Sequence, residues 1–134
     1  MLKSISHVAL VVKDPARTAA LFQDLFSARV VQRTDDEGHL ETFLSLGGTW
    51  FVLVAAPVER PRTGDHIAFH ATPEILEATR AKLQAMGREI ISARSNKSLY
   101  FFDYDDHVFE LDTADIDKEL TSLSSVGGGK PSAS

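Results

Sequence analysis

Two stretches of the chain begin in the same way: His7-Val8-Ala9-Leu10-Val11-Val12-Lys13-Asp14-Pro15 and His66-Ile67-Ala68-Phe69-His70-Ala71-Thr72-Pro73. Each is a run rich in apolar and β-branched residues, as in a buried strand, and ends in Asp-Pro or Thr-Pro. Asp and Thr are favoured helix N-caps, and proline is tolerated in the first helical turn because no N–H is needed there. Each stretch therefore predicts a strand that leads directly into a helix.

The first stretch is followed by a helical pattern and then by three strand-like segments. The apolar face of the helix consists of Ala19, Ala20, Phe22, Leu25 and Phe26. The strands are predicted at 28–34, 40–46 and 49–55, and Gly47-Gly48 between the last two is typical of a tight hairpin. The first half therefore predicts strand, helix and three strands.

The same order repeats after the second stretch. Its predicted helix, which Gly87 can end, has the apolar face Ile75, Leu76, Ala78, Thr79, Leu83 and Met86. Three strands are predicted at 89–93, 99–103 and 108–112. The chain thus predicts one domain at 1–123, made of two βαβββ modules at about 3–57 and 64–120 and joined by a Pro/Gly-containing linker. The Gly/Ser/Pro-rich segment 124–134 is predicted to be a disordered tail.

One βαβββ module exposes a sheet face that it cannot bury alone, so we expect an α+β fold in which paired sheets enclose a half-barrel cleft. Because side chains alternate along a strand, one face of the first strand carries His7, Ala9 and Val11. The equivalent face of the second copy carries His66, Ala68 and His70. The alternate residues are predicted to point to the helices and to form the core.

Composition limits the classes of function. The 134 residues have a formal net charge of -5, which argues against a large nucleic-acid interface because phosphate contacts need clustered Lys and Arg. No apolar stretch approaches the roughly 20 residues that cross a bilayer, so no membrane partner is expected. The chain has no Cys, so any metal must be held by nitrogen and oxygen ligands. We expect a cytoplasmic location.

His7 and His66 occupy equivalent positions in the two modules, and Glu110 lies on the last predicted strand. Two imidazoles and one carboxylate suit Mn²⁺, Fe²⁺, Ni²⁺ or Zn²⁺, and three protein ligands leave positions open for water or substrate. The alternative is that both histidines are ordinary strand residues bonded to backbone and that Glu110 is solvated. The pattern of residues alone leaves both interpretations open.

Three segments resemble the vicinal-oxygen-chelate superfamily, which includes glyoxalase I, extradiol dioxygenases, bleomycin-binding proteins and fosfomycin-resistance proteins. They are 7–14, 65–69 and 100–110, the last reading Tyr-Phe-Phe-Asp-Tyr-Asp-Asp-His-Val-Phe-Glu. The fosfomycin-resistance proteins are the most similar members. The resemblance implies a homodimer of paired modules with the metal ligands His7, His66 and Glu110, the first of them from the other subunit. It also implies Mn²⁺ as the ion.

The resemblance further implies an enzyme that opens the epoxide of a small phosphonate. Glu41 matches the general base of the type that uses water. Alternatives on the same scaffold are transfer of glutathione or another thiol to fosfomycin, a glyoxalase-like metalloenzyme with another substrate, and a metal-free drug-binding protein. Without the resemblance, Glu41 is equally well interpreted as a solvated carboxylate near a strand end.

Other matched positions imply contacts with a small anionic substrate. Ser98 and Tyr100 match phosphonate contacts, Trp50 matches an apolar wall, and Arg94 and Lys97 could neutralise the anion. Each also has a simpler interpretation: a core-edge tyrosine, a core tryptophan, or a solvated basic loop.

Three positions depart from the pattern of the fosfomycin-resistance proteins. Ala9 replaces a threonine, Ile90 or Ile91 replaces a lysine, and Glu119 replaces an arginine. Each lost polar contact is worth about 1–3 kcal/mol when it involves a buried charge. The substrate is therefore left open between fosfomycin, a related phosphonate and another metal-chelating oxygen compound.

Overall fold

The computed structural model describes residues 1–123 and residue 126, so the predicted disordered tail lies almost wholly outside the described residues. The described part contains eight strands and three helices. In chain order they are β1 His7–Val12, α1 Pro15–Phe26, β2 Arg29–Thr34, β3 Leu40–Leu46, β4 Thr49–Ala55, β5 His66–His70, α2 Pro73–Ala85, β6 Ile90–Ala93, β7 Ser98–Phe102, β8 Val108–Asp112 and α3 Ile116–Leu120.

The strands form two four-stranded sheets with the same topology, β1-β4-β3-β2 and β5-β8-β7-β6. In each sheet the first strand pairs in parallel with the last strand of its module, and the other pairs are antiparallel. The predicted α+β fold of two βαβββ modules is confirmed.

The helix starts are those that the sequence predicts. The Asp14 carboxylate accepts the backbone N–H of Arg17, and the Thr72 hydroxyl accepts that of Ile75. The local sequence does not predict the end of α1, where Ser27 caps the helix with the left-handed φ of 52° that glycine usually supplies. The short helix α3 was also not predicted.

The helix-facing sides of both sheets share one core. Phe22 of α1 lies against Phe101 and Phe109 of the second sheet, with ring centroids 6.4 and 5.2 Å apart. Phe51 of the first sheet also contacts Phe69 of the second. The opposite, open face of each sheet therefore points away from this common core, so the two open faces of one protomer do not enclose a cleft together. Among the described residues, no helix is both long and apolar enough to span a bilayer.

Candidate metal centre

Glu110 is the centre of the open face of the second sheet. It pairs with Ala68 on one side and Tyr100 on the other, and its side chain is only 5% exposed. One carboxylate oxygen, Oε1, lies 3.0 Å from Nε2 of His66. The other, Oε2, accepts hydrogen bonds from the Ser98 hydroxyl and from the Arg94 guanidinium, the latter at 2.6 Å. The carboxylate is thus fixed through one oxygen and faces the imidazole with the other.

The ring of His66 is oriented by the turn before β5. Its Nδ1 lies 2.9 Å from the carbonyl oxygen of Gly64, which can only accept, so Nδ1 carries a hydrogen. In the neutral imidazole, Nε2 is then an acceptor that faces a second acceptor, Oε1 of Glu110. Two such atoms at 3.0 Å need a proton or a cation between them. Imidazole nitrogen and carboxylate oxygen are suitable donors for a divalent transition-metal ion.

A second carboxylate shares the Arg94 side chain. Asp112 accepts from the Arg94 guanidinium at 2.8 Å and from the backbone N–H of Ala114. Burial acts to raise the pKa of Asp112, but these hydrogen bonds outweigh it and the pKa lies below its ordinary value. The same contacts, with Asp112 first and Glu110 second, raise the pKa of Arg94. Arg94 therefore stays positively charged between two carboxylates.

Tyr100 lies beside His66, with the two rings nearly perpendicular and their centroids 5.3 Å apart. Burial and then the negative charge of Glu110 raise the pKa of the Tyr100 phenol, so it keeps its proton and can donate a hydrogen bond. His66 and Tyr100 line a cavity of about 410 Å³ together with Ile91 and Arg62.

The structure separates Lys97 from this cavity. Lys97 belongs to the turn between β6 and β7, and its carbonyl accepts from the N–H and the hydroxyl of Thr113. It lines a different cavity, with Arg94, Asp112 and Glu119. Arg94 is thus the one predicted basic loop residue that reaches Glu110.

His7 lies on the open face of the other sheet. Its Nδ1 is 3.0 Å from the Ser6 hydroxyl, and the residue is exposed. It lines a cavity of about 320 Å³ with Trp50, Phe43, Arg33 and Val31. Trp50 is the register partner of His7, and its ring meets that of Phe43 edge-on at 6.3 Å. Trp50 is therefore a cavity wall on the side of His7.

Glu41 shares this open face but lies further along it. Its carboxylate is bound by Nε of Arg33 at 2.8 Å and is 27% exposed. Ser45, four residues later on β3, is the residue that pairs with Trp50. At 3.2–3.4 Å per residue, Glu41 is offset from the row of His7 by roughly 13 Å along the strand.

The described residues of one protomer do not bring the predicted ligands together. Among them, no group of three or more His, Asp or Glu side chains is placed to hold a metal. His66 and Glu110 are in contact, whereas His7 lines a separate cavity on the other sheet. Arg33 and Asp112 are not among the site residues predicted from the sequence. Strand alternation puts Asp112 on the face of Glu110, which was a usable signal.

Comparison with known proteins identifies the family. The model of the Glyoxalase/Bleomycin resistance protein/Dioxygenase superfamily matches residues 4–112. The chain belongs to this superfamily. Membership in the superfamily agrees with the duplicated βαβββ topology, and the match covers every strand of both modules.

Within the superfamily, the chain is similar to fosfomycin-resistance proteins. It is 30% identical over 128 residues to the fosfomycin resistance protein FosX of Listeria innocua, covering 90% of this chain and 96% of that one. It is 28% identical to the metallothiol transferase FosB of Staphylococcus epidermidis, covering 90% and 91%.

Solved structures show the same relationship. A variant of FosX from Listeria monocytogenes, complexed with Mn(II) and 1S,2S-dihydroxypropylphosphonic acid, aligns with a TM-score of 0.77 at 30% identity, covering 90% of this chain and 99% of that one. FosX from Mesorhizobium loti aligns with a TM-score of 0.76 at 26% identity, covering 90% and 99%.

Proposed function

We propose that the chain is a divalent-metal-dependent enzyme that opens the epoxide of a small phosphonate by adding water. The observation that carries this proposal is the contact between the buried Glu110 carboxylate and an acceptor nitrogen of His66. The FosX relatives support the substrate class, since one was solved with Mn(II) and a dihydroxypropylphosphonic acid.

The proposed metal ligands are His66 and Glu110 of one protomer and His7 of a second copy. The opposite orientation of the two open faces favours this arrangement, because one protomer offers only two ligands on one face. The proposed ion is Mn²⁺, with Fe²⁺, Ni²⁺ or Zn²⁺ as alternatives, since selection among them depends on supply as well as on affinity. When bound, the ion supplies Lewis acidity toward the epoxide oxygen.

The residues around Glu110 have defined tasks in this proposal. Ser98 and Arg94 hold Oε2 and so leave Oε1 for the ion. Tyr100 donates a hydrogen bond from its phenol to a substrate oxygen. Its raised pKa keeps the phenol protonated near neutral pH. Arg94 also offsets part of the negative charge of Glu110 and Asp112, the two carboxylates that it contacts. In the second copy, Trp50 forms the apolar wall.

Water addition is the proposed reaction because of the ligand in the relative. A 1,2-diol forms when a water oxygen bonds to one epoxide carbon, the C–O bond to that carbon breaks, the attacking water loses one proton, and the freed epoxide oxygen takes up one proton. A thiol would leave a thioether at that carbon instead. Glu41 is the proposed general base, which takes one proton from the attacking water, and Arg33 orients its carboxylate.

Thiol transfer to the same epoxide is a second candidate, favoured by the similarity to metallothiol transferases. The two reactions share the metal ligands and differ in the nucleophile. Glu41 favours water, because the few per cent of a thiol that is ionised near neutral pH is already a strong nucleophile, whereas water needs a base to remove its proton.

Phosphorus-31 NMR of the Mn²⁺-loaded protein with fosfomycin, with and without added thiols, tests the reaction. We expect the diol to form without thiol and Glu41→Gln to slow its formation by about 10²–10⁴-fold, the usual contribution of a general base. Glu37→Gln in the adjacent exposed turn is the charge-matched control and should leave the rate unchanged. A product that forms only with thiol would support transfer, and no product with either nucleophile would contradict both.

A further inference from the structure

We propose that Arg33 binds the anionic group of the substrate and so makes the cavity beside His7 a site for a small oxyanion. This inference deepens the proposed function, because it assumes that this cavity belongs to the active site. It adds a specificity-determining residue on the first module, where the one substrate contact predicted from the sequence is the apolar wall of Trp50.

The guanidinium of Arg33 is held at this cavity by two contacts. Its Nε donates to Glu41 at 2.8 Å, and its central carbon lies 5.1 Å from the ring centroid of Phe43. Both Phe43 and Arg33 line the cavity that also contains His7 and Trp50. The guanidinium therefore extends from the row of Glu41 toward the row of His7.

Arg33 differs from Arg62 and Arg94 in how many of its guanidinium N–H groups are left to bind a ligand. The Arg62 guanidinium is shared by Asp106 and Glu89, and that of Arg94 is shared by Glu110 and Asp112. Among described residues, Arg33 has a single carboxylate partner, which uses Nε and leaves both terminal amino groups unbonded. Those two groups form the fork that recognises a phosphonate or carboxylate.

The charge of this face also favours an anion. The chain as a whole has a net charge of -5, yet strand alternation places Arg29 and Arg33 on the open face of the first sheet. The carboxylates near Arg33 are Glu41, which it contacts, and Asp35 in the adjoining turn. Phe43 and Trp50 line the cavity beside Arg33, whose side chain is 68% exposed, so the guanidinium is accessible to an anion from solvent.

Titration of the Mn²⁺-loaded full-length protein with methylphosphonate tests the site directly. Trp50 is the only tryptophan and lines the same cavity, so its fluorescence reports binding without any turnover. We expect Arg33→Ala to weaken binding by at least tenfold, the equivalent of about 1.4 kcal/mol. Arg33→Lys should restore part of the affinity, because it keeps the charge but lacks the fork.

Arg17→Ala is the matched control, since it removes one positive charge from the exposed face of α1, does not line this cavity, and should leave methylphosphonate affinity unchanged. Equal affinity of the parent and Arg33→Ala would overturn the proposal, as would a parent that binds no methylphosphonate. Arg33 is 68% exposed, and unchanged thermal midpoints will show that the variants fold.

The failure of this inference is distinguishable from failure of the proposed function. One outcome is that the parent binds methylphosphonate, Arg33→Ala does not, and fosfomycin is not converted. That outcome supports the oxyanion site and contradicts the proposed epoxide reaction. The other outcome is that fosfomycin is hydrated and Arg33→Ala leaves KM and methylphosphonate affinity unchanged. That outcome supports the reaction and contradicts the role of Arg33.

Discussion

The two histidines that begin β1 and β5 differ in how their rings are held. His66 is fixed on both sides, by the carbonyl of Gly64 and by the carboxylate of Glu110. His7 has one contact, with the neighbouring Ser6 hydroxyl. The half of the candidate centre at His66 is therefore organised within one protomer, whereas His7 is free to be oriented by a ligand from another copy.

The Ser98 hydroxyl is expected to affect metal binding without itself being a ligand. It donates a hydrogen bond to Oε2 of Glu110. Replacing a residue that is hydrogen-bonded to a metal ligand typically lowers metal affinity by about 10–100-fold. We predict that Ser98→Ala weakens Mn²⁺ binding within that range, measured by calorimetry. Ser95→Ala, in the exposed turn before β7, is the control and should bind Mn²⁺ like the parent. Identical Mn²⁺ affinity of both variants would contradict this role for Ser98.

Asp35 gives a prediction about pH. Its carboxylate accepts the backbone N–H of His39 at 2.8 Å and that of Glu37 at 2.9 Å, and these bonds lower its pKa below the usual 3.8. A depressed folded-state pKa stabilises the fold above the unfolded-state value, and that stabilisation is lost as the pH falls through the folded-state pKa.

Urea unfolding of the parent and of Asp35→Asn checks this sign. We expect the stability advantage of the parent to be complete near neutral pH and to shrink as the pH falls below about 4, where the parent carboxylate protonates. Asp36→Asn in the same exposed turn should follow the parent at every pH. An advantage of the parent that grows with acid would show that the Asp35 contacts do not act as described.

At the scale of elements, the β3–β4 hairpin of the first module packs against the second module. Gly47 and Gly48 both have positive φ, at 56° and 79°, which glycine adopts at no steric cost. They differ in surroundings, because a Cβ on Gly47 would lie 2.8 Å from the Phe69 ring of the second module, whereas one on Gly48 would meet nothing within 4 Å.

This difference makes the two glycines a matched pair. Gly48→Ala should cost about 1 kcal/mol of unfolding free energy, for backbone strain alone. Gly47→Ala should cost about 1–3 kcal/mol more, because Phe69 must also move. Chemical denaturation of both variants measures the difference. Equal losses would show that the hairpin does not pack against Phe69 as described.

Local signals explain which elements could be predicted from the sequence. Some features depend only on neighbouring residues and can therefore be predicted from the local sequence. They are the helix starts at Asp14-Pro15 and Thr72-Pro73, the Gly47-Gly48 turn and the alternation in β1. The end of α1 at Ser27 and the turn at Arg94–Asn96 require positive φ from residues other than glycine. Such conformations are imposed by the surrounding structure, and nothing in the local sequence indicates them.

At the scale of the whole molecule, the sequence is enough to nominate candidate metal ligands, which remain a prediction, but not to show how they are placed relative to one another. Equivalent positions in the repeat single out His7 and His66, and alternation puts Glu110 on an open face. The contacts of Arg94 with Glu110 and Asp112, and the separation of His7 from both, depend on tertiary packing. The homodimer remains a prediction, which the exposure of Trp50 and Val54 on the open face of the first sheet supports.

Metal binding by a mixed dimer tests the central claim most directly, namely that His7 of one copy joins His66 and Glu110 of another. His7→Ala and Glu110→Gln protomers carrying different tags are co-expressed, and the heterodimer is purified through both tags. Each variant alone is expected to bind Mn²⁺ weakly, since every site in its homodimer lacks one ligand.

In the heterodimer the altered residues fall together in one site and leave the other site intact. We expect the heterodimer to take up Mn²⁺ at about half the stoichiometry of the parent dimer and with the parent affinity. A heterodimer that binds Mn²⁺ no better than either variant alone would contradict it, as would two variants that each retain the parent affinity.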